Sequence, residues 1–236
     1  MRKLLIFLFA FCISANADVT QNQQVYAAAN VLKSFGCDAN KSISVDELRH
    51  AKAIAVLTDV TKTSFIASVQ KGNGVFSMRD FDGNWTPPLM VKYRSFGAGP
   101  QAGIESKDMI LIFHTSKSFR DIFEGADLLG LNAGATVGEG GAAGVTTDLP
   151  EMSAWIVNPG ESTGVYFGVS LDFGRLMIDD QATNDYYERI YDYEDILNGS
   201  PKDSQYTKLL KKALNTYILN DGSDYQCNID KFVIEN

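Results

Sequence analysis

Apolar residues follow a helical spacing at both ends of the chain and a strand-like spacing between them. Residues 24–35 carry apolar side chains three or four positions apart and are followed by Gly36, which predicts an N-terminal helix. Helical spacing returns at 185–197 and at 204–220. Between about 53 and 176 the apolar runs are short and are separated by glycines, a pattern typical of strands.

The predicted strands follow one another at intervals of roughly ten residues. They lie at 53–57, 65–69, 75–79, 89–94, 109–113, 153–157 and 165–171. The tripeptide Asp82-Gly83-Asn84 predicts a hairpin turn, and Trp85 after it is expected to pack on the sheet. Short helices are predicted near 44–51 and 116–124. Two such helices are too few for the regular alternation of strands and helices that builds a parallel sheet. The predicted fold class is α+β: a curved, mainly antiparallel β-sheet or half-barrel with flanking N- and C-terminal helices.

Residues 1–17 match a secretory signal peptide. Two basic residues precede a ten-residue apolar run, which is too short to span a bilayer, and small residues ending at Ala17 supply a cleavage pattern. Phe11 is bulky where a lipoprotein signal needs a small residue, which disfavours anchoring through Cys12. The expectation is a periplasmic or secreted protein in which residues 18–236 form a single domain.

Composition and charge exclude some classes of function. The 236 residues are 45% apolar and 21% charged, as in globular domains. Without residues 1–17 the chain holds 19 basic and 29 acidic residues, a formal charge of −10. Nucleic acid is therefore not an expected partner, because its binders neutralise phosphates with an excess of lysine and arginine.

Motifs for catalysis or for a cofactor are not recognisable in the sequence. Glycine clusters at 130–134 and 138–141 lack the lysine of a phosphate-binding loop and the helix of a dinucleotide fold, so turns or close strand contacts are expected there. Two histidines and three cysteines show no metal-ligand spacing. The chain is expected not to be an enzyme and to need no cofactor or metal. A hydrolase whose residues meet only in space stays open.

Cys37 and Cys227 are the two cysteines beyond the predicted signal peptide. An oxidising compartment favours a disulfide between them, which would tie the first helix to the last segment. Two separate thiols are the alternative, because the sequence does not give the distance between them.

The segment 60–107 is basic on an otherwise acidic chain. It holds six basic and three acidic residues, a charge of +3, which leaves −13 for the rest of the chain after residue 17. Such a segment suits contact with anionic headgroups. Lys92 and Arg94 are two positions apart and would share one face of a strand. With Lys62 and Arg79 they form the predicted lipid-binding set, and an ordinary solvated face is the alternative.

Several short blocks also stand in a recognisable order. They are residues 47–56, 72–85, 99–108, 130–138, 164–171 and 195–199. In this order the stretch from about 43 to 199 resembles the SYLF domain, a lipid-binding domain of bacterial envelope proteins and of eukaryotic actin-regulating proteins. The final predicted helix would be a C-terminal extension of that domain.

The resemblance implies a non-catalytic domain that binds anionic phospholipid at a membrane surface. An envelope scaffold or protein-interaction module without direct lipid binding is the alternative. It would use an envelope protein as partner and a group of tyrosines as its contact surface. These tyrosines are Tyr186, Tyr187, Tyr191 and Tyr193.

Overall fold

The computed structural model describes residues 20–37, 49–124, 128–137, 141–147, 152–157 and 164–219. The helices in these ranges are α1 (Gln21–Cys37), α2 (Ser116–Phe123), α3 (Asp180–Tyr187), α4 (Tyr193–Leu197) and α5 (Gln205–Leu219). The strands are β1 (Ala53–Met78), β2 (Leu89–Phe113), β3 (Leu128–Val137), β4 (Gly141–Thr147), β5 (Met152–Val157) and β6 (Gly164–Ile178).

The strands form one antiparallel sheet. Their order is β1-β2-β6-β3-β4, and β5 pairs with β2 outside this path. The 25 residues of β2 are long enough to pair first with β6 and then, near Phe113, with β5. The predicted fold class is confirmed: helices precede and follow a curved antiparallel sheet.

The β1–β2 hairpin curls until the two ends of β1 meet. A Cβ atom on Gly74 would lie 2.8 Å from the Cα of Leu57, and one on Gly72 would lie 2.7 Å from a methyl group of Val60. Only glycine allows so close an approach. The three strands predicted within 53–79 are therefore one continuous, bent strand of 26 residues.

The curl gives the sheet an outer and an inner face. Alternate residues such as Val75, Met90 and Ile110 lie on the outer face, in one buried core with Leu32 of α1 and Leu214 of α5. The other alternate residues line the inner face. At one end of it Phe76 and Phe113 pack with Phe119 of α2 and Ile196 of α4. The ring centroids of Phe76 and Phe113 are 5.8 Å apart in an edge-to-face arrangement.

One helix prediction was wrong. Residues 185–197 form parts of two helices, because Glu188 adopts a left-handed conformation (φ 51°) and ends α3. The apolar side chains of this stretch pack in different cores: Tyr186 packs with the outer core and Ile196 with the inner one.

The glycine cluster at 130–134 falls in paired strands, whereas residues 138–140 of the second cluster lie outside the described residues. Residues 130–134 lie in β3, where Gly134 is opposite Ala143 of β4 and Gly168 of β6. This confirms the prediction of close strand contacts for that cluster and gives no phosphate-binding loop there.

Several predictions concern residues outside the described ones. These are the signal peptide ending at Ala17, most of the helix near 44–51, and Cys227. The single domain over 18–236 likewise stays a prediction. Across the described ranges, no helix has the length and hydrophobicity needed to cross a membrane.

Candidate functional site

A row of apolar side chains is exposed on the outer face, beyond the helices. Val69, Phe96 and Phe173 stand opposite one another on β1, β2 and β6. Cross-strand partners point to the same side of a sheet, so the three side chains are neighbours. Each is more than half exposed. We call these residues the apolar row.

A row of basic side chains runs beside the apolar row. Lys71, Arg94 and Arg175 are cross-strand partners on the same three strands, and all are exposed. They lie one same-face position, about 7 Å, from the apolar row. Like charges directly opposite each other destabilise a sheet. This basic row is therefore an arrangement that sheet stability alone does not favour.

The pairing of β1 with β2 is irregular at the midpoint of β1, and two further apolar side chains are exposed there. The pairing register shifts between Phe65 and Ala67, and Ile66 has a left-handed backbone (φ 66°). Phe65 is 79% exposed and Ile66 is 68% exposed. A β-branched residue at positive φ is a genuine outlier. We call this pair the β1 bulge.

The four basic residues predicted from the sequence do not form one surface. Arg94 lies in the basic row, where its guanidinium donates to the Tyr93 carbonyl oxygen at 2.8 Å. Lys92 lies beside this row, but its ammonium group is 3.6 Å from a carboxylate oxygen of Asp179. Arg79 is half-buried and lies 4.9 Å from the centre of the Trp85 ring, and burial lowers the pKa of its guanidinium.

The prediction for Lys62 is corrected by the structure. Lys62 has no exposed surface and lies on the inner face, opposite Glu105 on β2. Alternation along β1 fixes this orientation, since Lys62 shares its side of the sheet with buried Val60 and Ser64. A buried ammonium group cannot meet a lipid headgroup. Basic residues of a strand form one surface only if they lie on the same face of the sheet, and the prediction from sequence did not separate the two faces.

The inner face is polar around Lys62. The Lys107 ammonium group is 3.3 Å from a carboxylate oxygen of Glu105, and both side chains are buried. Gln70 and Ser95 are cross-strand partners nearby, with side-chain polar atoms that are buried and have no hydrogen-bond partner. Within the described ranges, no cluster of histidine, cysteine and acidic residues has a metal-binding arrangement.

Asp108 closes a second bulge in β1, next to Asp59. A carboxylate oxygen of Asp108 accepts the Asp59 backbone N–H at 2.9 Å, and Asp59 has a left-handed backbone (φ 58°). Burial raises the pKa of Asp108, and the charge of Asp59 adds to this effect against the opposing hydrogen bond. The geometry gives this carboxyl a structural role at the bulge.

Asp108→Asn is expected to raise the melting temperature at pH 7. The folded-state pKa lies above the unfolded value, so ionisation of Asp108 disfavours folding, and this penalty grows as pH rises through the folded pKa. Asparagine keeps the accepting oxygen and removes the charge. The gain should vanish below about pH 3.5, where the carboxyl is largely protonated in both states. Thermal unfolding at several pH values measures the change in melting temperature. An equal increase at every pH would contradict the prediction. Asp82→Asn, on the exposed turn, is the control.

A comparison with protein families identifies the chain. Residues 94–217, more than half of its length, match the Ysc84 family, described as "Las17-binding protein actin regulator". The chain belongs to the Ysc84 family. This confirms the SYLF resemblance, because YSC84-like proteins carry the SYLF domain.

Curated relatives of this Ysc84-family chain contain SH3 domains, as their names state. The human SH3 domain-containing YSC84-like protein 1 is 29% identical over 188 residues, which cover 75% of this chain and 54% of that protein. The protein of the same name from Bos taurus is 30% identical, over 66% of this chain and 47% of its own length. An SH3 domain-containing protein of Schizosaccharomyces pombe is 27% identical, over 82% and 46% respectively.

The chain spans about half the length of the curated relatives it matches. No solved structure matches it. The relationship therefore covers the Ysc84 region and not the relatives as whole proteins.

Proposed function

We propose that this Ysc84-family domain is a non-catalytic protein that binds peripherally to anionic lipid surfaces, and that it is secreted or periplasmic. The observation that carries the proposal is the basic row beside the apolar row on one exposed face of the sheet. Anionic headgroups would be attracted to the exposed charges of Lys71 and Arg94, and the side chains of the apolar row would be removed from water at the headgroup boundary.

The apolar side of the N-terminal helix α1 is not available for contact with a membrane. The apolar side of α1, including Val25, Ala28, Leu32 and Phe35, is buried in the outer core. Gly36 in its last turn leaves room for the Tyr217 side chain of α5, whose Cβ atom lies 2.6 Å from where a glycine Cβ would be. The exposed part of the sheet is thus the better membrane-binding surface.

Export is supported by the predicted signal peptide and by cysteine chemistry. Cys37 lies at the end of α1, where the predicted disulfide would tie this helix to the last segment of the chain. Disulfides persist in oxidising compartments such as the periplasm. Cys227 lies outside the described residues, so its pairing with Cys37 stays a prediction.

Vesicle flotation tests the proposed function. The chain lacking residues 1–17 is mixed with phosphatidylcholine vesicles or with vesicles that also contain phosphatidylglycerol, each at low and at physiological salt. We expect flotation with the anionic vesicles and little with the neutral ones. Failure to float with both would remove lipid binding from the proposal, and equal flotation with both would remove the basic row from it.

A protein-interaction module is the second candidate, because the family is described by a protein that it binds. The tyrosines first considered for this role are largely engaged in the fold. The Tyr186 hydroxyl is 2.7 Å from the Ser204 hydroxyl, and the Tyr187 hydroxyl donates to the Pro88 carbonyl at 2.6 Å. Tyr193, in contrast, is 42% exposed, so a protein partner would meet this tyrosine or the same exposed rows, and lipid-independent behaviour in flotation would favour such a partner.

A further inference from the structure

The β1 bulge exposes a side chain that a regular strand would bury. Residue 66 lies between Ser64 and Ser68, both of which are buried. The left-handed backbone at Ile66 interrupts the alternation, so Phe65 and Ile66 are both exposed although they are adjacent in sequence. A strained backbone that presents an isoleucine to solvent points to a function for that side chain.

Along the outer face, the exposed side chains change from apolar to basic with increasing distance from the β1 bulge. Phe65 and Ile66 come first, the apolar row at Val69 follows, and the basic row at Lys71 comes next. Phe65 and Lys71 are at most about 20 Å apart along the strand. Farther on, Val75 is already covered by α1 and α5. The exposed part therefore runs from apolar to cationic over a length comparable to one leaflet's hydrocarbon depth, about 15 Å.

We propose that the β1 bulge inserts Phe65 and Ile66 among lipid acyl chains, so that the domain selects anionic bilayers with loosely packed headgroups. This rests on the proposed function. The bulge enters the hydrocarbon, the apolar row lies at its boundary, and Lys71, Arg94 and Arg175 lie at the level of the phosphates. Bilayers with packing defects expose acyl chains and so admit two bulky side chains more readily.

A second copy of the chain is less complementary to this surface than anionic lipid is. A symmetric dimer places the same surface of both copies in contact. It would place two basic rows in one interface, to which neither copy brings an acidic row. Anionic lipid has the charge complementary to the basic row and the hydrocarbon complementary to the bulge.

The experiment compares small sonicated vesicles with large extruded vesicles of one phosphatidylcholine–phosphatidylglycerol composition. Wild type is expected to bind the small vesicles more than tenfold more tightly than the large ones at equal lipid. Phe65→Ser combined with Ile66→Gly removes both side chains, and glycine tolerates the left-handed backbone. The variant should lose at least tenfold in affinity for small vesicles and most of its preference for them. Phe81→Ser, which removes a fully exposed phenyl group from the 80–84 turn, should behave as wild type.

The outcomes separate this inference from the proposed function. Unchanged binding by the double variant overturns insertion and leaves peripheral lipid binding standing, whereas no binding by wild type overturns both. A change in oligomeric state on size exclusion, without a change in lipid affinity, would assign the bulge to a protein contact instead.

A second measurement does not depend on the double variant being folded. Phe65→Trp should show a blue-shifted emission when vesicles are added, because its indole enters an apolar environment, and Phe81→Trp should not. The signal of the two native tryptophans is subtracted with wild type. No shift for Phe65→Trp at saturating vesicles would overturn insertion.

Discussion

Replacing both Lys71 and Arg94 with glutamate is expected to weaken binding to vesicles containing phosphatidylglycerol by well over tenfold at low salt. The two side chains are exposed and stand opposite each other in the basic row. One basic group near an anionic surface contributes about 1 kcal/mol, and each reversal replaces that attraction with repulsion. Salt screens the effect, with a Debye length of about 8 Å at 0.15 M, so the difference should narrow without changing sign. Flotation over a range of lipid concentrations measures it.

The matched control carries the same charge change on another surface. Lys208 and Lys212 are exposed on α5, four positions apart, and Lys208→Glu with Lys212→Glu lowers the net charge equally. If long-range charge alone governed binding, the two double variants would lose the same affinity. Equal losses, or no loss in the Lys71/Arg94 variant, would remove the basic row from the mechanism.

Trp85→Ala is expected to lower the free energy of unfolding by about 3–5 kcal/mol, as large core truncations do. Trp85 is only 2% exposed and belongs to the outer core. The Trp85 ring lies under the guanidinium group of Arg79. The backbones of the two residues also form a β-bridge across the turn. Truncation would leave a cavity beside the sheet and remove the contact that covers Arg79. Chemical denaturation monitored by circular dichroism measures the loss.

Phe81→Ala, in the same turn, is the control for this prediction. Phe81 is fully exposed, so its truncation should change stability by no more than about 0.5 kcal/mol. Folded Trp85→Ala protein should still float with anionic vesicles, because Trp85 is not in either exposed row. Unchanged stability combined with lost flotation would reverse the assignment and place Trp85 in the lipid-binding surface.

Much of the fold was predictable because its determinants are local. Helical spacing that ends at Gly36 predicted α1, and the turn signal at 82–84 predicted the connection between β1 and β2. The order of short motifs was enough to indicate the family. The break at Glu188 was not predictable, because the helical spacing of apolar residues, with Tyr186 and Ile190, continues through it.

The candidate site shows the limit of local patterns. Sequence proximity grouped Lys62 with Arg94, whereas the bulge at Asp59 and the alternation that follows it along β1 place Lys62 inside the curl. Arg175 was missed because β6 follows β2 only after a long stretch of chain. It joins the basic row through the pairing of these strands, which puts Arg175 directly opposite Arg94.

By itself, the sequence determined the α+β class, the order of most elements, the family and the basic character of the 60–107 segment. These properties depend on side-chain periodicity, turn residues and composition, all of which act over a few neighbouring positions. The tertiary structure alone decided which basic and apolar side chains share a surface. Strand register and the left-handed residue at Asp59 set the face to which each side chain of β1 points, because the one-position shift there sends the following side chains to the other face.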